Sequence, residues 1–97
     1  MRVYTGKRTL QGNLVMVDGK PLPQRLDLWA HSPTGFEWGY SGSGPAQLAL
    51  ALAADVLHDD ERAVRVHQHL KRKLIANLDG DWTLAEEDIL LAIEREP

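Results

Sequence analysis

Thirteen consecutive residues, Pro45 to Leu57, read PAQLALALAADVL and carry only two polar side chains, Gln47 and Asp55. Proline suits a first helical position, because the N–H it lacks would have no intrahelical partner there, and the spacing predicts a helix over 45–57. At ~1.5 Å per residue that helix is ~20 Å long, against a diameter of ~30 Å expected for a domain of this size. A helix that is apolar all round cannot lie on a surface, so other elements must pack on several sides of it. The run also falls well short of the ~20 residues needed to span a bilayer. The expectation is a soluble domain built around a central strut.

Ninety-seven residues suffice for one domain, 1–97, that buries roughly 65% of its chain surface without staples. The absence of cysteine excludes disulfides, thiolate nucleophiles and Cys-based metal sites, and suits a cytoplasmic location. The start, MRVYTGKRTL, has no apolar signal core. Net charge is −3, unevenly placed: residues 1–45 hold five Lys/Arg against three Asp/Glu, and residues 46–97 hold six against eleven. Without a basic stripe, the chain is a poor binder of duplex nucleic acid, where affinity comes from neutralising phosphates. One phosphorylated small molecule needs only a cation or two.

Before the apolar run, residues 2–40 read mainly as strands and turns. Arg2 to Tyr4 and Leu14 to Val17 are candidate strands, and Asp18-Gly19 has the chemistry of a tight hairpin turn. Pro21 and Pro23 confine Lys20 to Pro23 to an edge or beyond the sheet. Alternation over Arg25 to Ala30 and again over Phe36 to Tyr40 predicts two more strands, separated by the turn Ser32-Pro33-Thr34-Gly35. After the apolar helix, an amphipathic helix is expected over 60–78. A third is expected over 83–95, started by the capping box Thr83 to Glu86. The expected architecture is α+β, a small antiparallel sheet or meander packed on three helices.

Chemistry concentrates where the aromatic strand meets the apolar helix. Tyr40 to Pro45 reads YSGSGP, a strand-to-helix loop whose glycines and free amides, with the helix dipole, favour an anion. The competing reading is that the glycines supply unusual backbone angles and Ser43 caps the helix. No Lys follows the glycines, so this is no P-loop. Trp38 and Tyr40 present two rings for stacking, or else cover the core. His31 is a candidate phosphate donor or base, or a turn-fixing side chain, and Arg25 is the nearest plausible cation. The ligand-binding set is therefore His31, Trp38, Tyr40, Ser41, Gly42, Ser43, Gly44, Gln47 and Arg25.

Gly39 to Ser43 resembles a nucleophile elbow without its last glycine, but the chain is too short for the hydrolase sheet and lacks an Asp-then-His pair. His67 and His69 lie about 200° apart on a helix and cannot share one ion. No catalytic set, cofactor or metal is expected.

The run from His31 to Tyr40, followed by Gly42 to Ala49, resembles an uncharacterised family of small proteins from bacteria, archaea and their phages. The family motif falls on His31, Ser32, Pro33, Gly35, Phe36, Trp38, Gly39, Tyr40, Gly42, Ser43, Gly44, Pro45 and Gln47. The sequence departs from it at Ser41, where glycine is usual, and at His67 and Leu70, where aromatics are common. The resemblance supplies no activity, but its occurrence in phages implies an accessory, anti-defence role.

Two functions are carried forward. One is a non-enzymatic protein that sequesters a phosphate-bearing small molecule or nucleotide at the 40–47 junction. The alternative is an inhibitor of a host protein complex that acts through its acidic helical surface, including Glu86, Glu87 and Asp88. A homo-oligomer remains compatible with both.

Overall fold

A computed structural model describes residues 1–94 of the chain. Strand β1 (Val3–Thr9) turns through Leu10 and Gln11 into β2 (Gly12–Val17), pairing antiparallel from Tyr4 opposite Val17 to Thr9 opposite Gly12. Asp18 and Gly19, at φ 49° and 80°, form the tight turn that this dipeptide predicts. They lead into β3 (Lys20–Pro21), a two-residue edge where proline costs no ladder donor. β4 (Trp82–Ala85) returns from late in the chain to pair antiparallel with β1, and the order is β3-β2-β1-β4.

Three helices complete an α+β fold: α1 (Ser43–Leu57), α2 (Asp60–Lys73) and α3 (Glu86–Glu94). α1 is buried without interruption from Gly44 to Ala54, as its composition requires. Tyr4, Val15 and Val17 of the hairpin, Trp82 and Leu84 of β4, and Val66 and Leu70 of α2 belong to the same core. Among the described residues no helix is long and apolar enough to cross a membrane.

Two polar residues of α1, Gln47 and Asp55, each anchor a different part of the chain. Asp55 accepts a 2.6 Å hydrogen bond from the Tyr4 hydroxyl and bonds of 2.9 and 2.7 Å from Arg2, tying the helix to the N-terminal end of β1. Burial and the Asp55 bond push the Tyr4 phenol well above its ordinary value, so it remains a donor. Gln47 anchors the loop that runs from Gln24 to Ser32.

Several elements differ from the sequence expectation. Arg25 to Ala30 is not a strand: Arg25 adopts φ 57°, and the Leu28 N–H closes a turn onto the Arg25 carbonyl. Phe36 to Tyr40 is also irregular. α1 begins at Ser43 instead of Pro45, and α2 stops at Lys73, a short 3-10 turn (Ile75–Asn77) replacing its expected last turn. The capping-box residues Thr83 to Ala85 belong to β4, because pairing with β1 sets Trp82 and Leu84 inward. A Cβ on Gly6 would collide with the Trp82 ring, which lies against it across the strand pair. α3 therefore starts at Glu86, where the Asp88 carboxylate accepts from the Ala85 N–H at 2.8 Å. The expected end of this helix at residue 95 lies outside the described residues.

Candidate functional site

Residues 22–42 carry no helix or strand, so their backbone groups need partners from elsewhere. Gln47 supplies three. Its carbonyl oxygen accepts from the N–H groups of His31 at 2.8 Å and Ser32 at 3.1 Å, and its amide donates to the Gln24 carbonyl at 2.7 Å. A polar side chain one turn into a buried helix is thus the staple for residues 24–32.

The following segment is held by the sheet. Asn13 donates to the Phe36 carbonyl at 3.0 Å. Arg8 donates to the Trp38 carbonyl at 3.2 Å and to Glu37 at 3.0 Å, and its guanidinium lies 4.5 Å from the centre of the Trp38 ring. Burial raises the Glu37 carboxyl, but the bonds from Arg8 and from the Trp38 N–H outweigh it and hold the group below its ordinary value. The Trp38 indole donates to the Gly80 carbonyl at 2.8 Å and meets Trp82 edge-on, with centroids 5.5 Å apart. The Gly39 N–H donates to Ile75.

Where this segment passes the head of α1, the chain opens into a cleft of about 340 Å³, inside the range of small-ligand pockets. Asn13, Ser32, Thr34, Glu37, Tyr40 and Ser43 line it. A Cβ on Gly44 would stand 2.6 Å from the Glu37 Cβ, so glycine is what lets the two chain segments come this close. No side chain caps α1, and the N–H groups of Ser43 and Gly44 have no partner among the described residues. These free donors stand at the positive end of a 15-residue helix.

The structure divides the nine residues read from the sequence. Tyr40, Ser43 and Gly44 line the cleft, with Ser41 and Gly42 between them in the chain. Trp38 belongs to the core at 1% exposure, while Tyr40 is 51% exposed, so the two rings do not form one stacking face. Gln47 is buried and spent on backbone groups.

Arg25 is not the cation of this cleft. It pairs with Asp27 at 3.1 Å and with Asp60 on α2 at 3.0 Å, and both bonds raise its affinity for its proton. His31 does not line this cleft either: its Nε2 lies 2.9 Å from Nε2 of His67, and its ring stacks on Trp29. Sequence reasoning missed Asn13, Ser32, Thr34 and Glu37 as wall residues, because only the hairpin's position beside the loop brings them together.

Two larger hollows lie elsewhere. One, of about 540 Å³, is lined by Leu74, Leu84, Leu91 and Ala92 with Lys73 and Asp88, a mostly apolar wall with one charge of each sign. The other, of about 570 Å³, is rimmed by Asp55, Asp59, Asp60 and Glu61, and its Arg2 and Arg25 are already paired with carboxylates. An anion would be repelled there. Among the described residues no group of three or more His, Asp or Glu is arranged to hold a metal ion.

No curated protein and no solved structure matches the chain. One family model does, over residues 4–95. It spans the Tyr4–Asp55 and Gln47 ties of α1 and the whole cleft, and on that match the chain belongs to the family of unknown function DUF6166.

Proposed function

We propose that the protein is a non-enzymatic binder of a phosphate-bearing small molecule, with a nucleotide the best fit to the cleft at the head of α1. The observation that carries this reading is the pair of free amides, Ser43 and Gly44, opening into a polar cleft at the positive end of a long helix. A phosphate would take those amides and the Ser43 hydroxyl. Glu37 on the facing wall is paired with Arg8 at 3.0 Å, which offsets its repulsion of a phosphate, and its carboxylate accepts from sugar hydroxyls. The half-exposed Tyr40 ring offers a face for a base. Sequestration without turnover fits an accessory, anti-defence role in a phage or mobile element.

Mass spectrometry of small molecules released from the purified protein, with thermal unfolding in the presence of nucleotides and sugar phosphates, tests the reading. A ligand at a hundred times its Kd stabilises by about 2.7 kcal/mol. Tyr40→Ala and Ser43→Trp should abolish that gain while leaving the unliganded protein as stable as before. A panel without any stabilising compound counts against the proposal.

The alternative of a host protein complex met through the acidic surface has weaker support. Asp88 is engaged by the Ala85 N–H, and Glu86, Glu87 and Asp88 form the first turn of α3, where the helix dipole accounts for them.

A further inference from the structure

We infer that His31 and His67 form a proton-operated latch that holds residues 24–32 against α2 at neutral pH and releases them on mild acidification. The two rings come from segments 36 residues apart and meet with their Nε2 atoms 2.9 Å from each other. Nδ1 of His67 lies within hydrogen-bond distance of the Val64 carbonyl, which only accepts, so that nitrogen carries a proton. In the neutral ring Nε2 is then bare, and the contact is an N–H donated by His31 Nε2 to His67 Nε2.

One added proton is tolerated, because it can sit on His31 Nδ1 or be held between the rings without removing the bond. A second is not. It leaves two N–H groups facing each other and two positive charges in contact.

The surroundings favour the closed, unprotonated pair on balance: the Val64 carbonyl raises the His67 imidazole, but burial outweighs it. Trp29 stacks on His31 with centroids 4.7 Å apart and tilts over His67 at 5.7 Å, so the rings are shielded. Burial lowers both imidazoles below their ordinary 6.5, and the positive charge of Lys71 on α2 lowers them further. Gln47 of α1, which receives the His31 N–H, is neutral at every pH.

The sign follows from linkage. Each ring holds fewer protons latched than free, so the latch is at full strength above about pH 6.5 and weakens as pH falls below it. Among the described residues no group of three or more His, Asp or Glu is arranged to hold a metal ion, and the 2.9 Å contact is a hydrogen bond between the rings.

Amide exchange followed by NMR between pH 7.5 and 5.0, corrected for the intrinsic pH dependence of exchange, tests the latch. The His31 and Ser32 amides should lose about tenfold or more of their protection across that range, while the amides of Leu48 to Leu52 in α1 keep theirs. His67→Phe should flatten the response, and His31→Gln gives the same reading if the first variant does not fold. His58→Gln, at an exposed position, should leave it intact. Protection that does not change with pH, or that falls equally in His67→Phe and His31→Gln, overturns the proposal.

Discussion

Ser43 and Gln47 stand one helical turn apart on α1 and are used in opposite ways. Gln47 is fully buried and makes three hydrogen bonds to the backbone of residues 24–32. Ser43 is exposed, its side chain makes none among the described residues, and it lies beside amides that are equally unengaged. The same contrast runs through the aromatic stretch, where Trp38 is buried and bonded to Gly80 while Tyr40 faces solvent. In one short motif, the residues that build the loop are therefore separable from those left free to meet something else.

Substitutions should follow that division. Trp38→Ala has the largest expected effect, a loss of about 4 kcal/mol in chemical denaturation, because it empties a core site and removes the Gly80 bond. Gln47→Leu keeps the volume but strands the His31 and Ser32 N–H groups and the Gln24 carbonyl. Its cost should be about 3 kcal/mol, at roughly 1–3 kcal/mol for each buried group left unpaired. Arg8→Met removes the bridge from β1 to Glu37 and Trp38, and about 1 kcal/mol is expected because the side chain is 41% exposed. Tyr40→Ala and Ser43→Trp should stay within about 0.5 kcal/mol of the parent protein. A Gln47→Leu variant as stable as the parent, or a Tyr40→Ala variant that unfolds, would break the distinction.

The sequence made some of this legible and hid the rest for identifiable reasons. α1 could be read because its apolar character is a property of consecutive letters, and the Asp18-Gly19 turn because its chemistry is local. β4 could not. Thr83 and Glu86 have the spacing of a helix start, and only pairing with β1, some 80 residues earlier, makes Trp82 to Ala85 a strand. The alternation at Arg25 to Ala30 misled in the same way: Arg25 turns to positive φ and is held by Asp60, a residue of another element. Gln47 was recognisable as anomalous, but its three partners depend on where the loop comes to rest. The cleft was found from the glycines and serines of one wall. The facing wall of Asn13, Thr34 and Glu37 came with the fold.

The central claim is that the free head of α1 is a place for a phosphate. A 1H–15N titration of the protein with a nucleoside monophosphate, and separately with inorganic phosphate, observes the two amides concerned. The account predicts saturable shifts that are largest at Ser43 and Gly44, stronger for the nucleotide, and absent in Ser43→Trp. Saturable shifts centred elsewhere, or none at Ser43 and Gly44 at millimolar ligand, would contradict it.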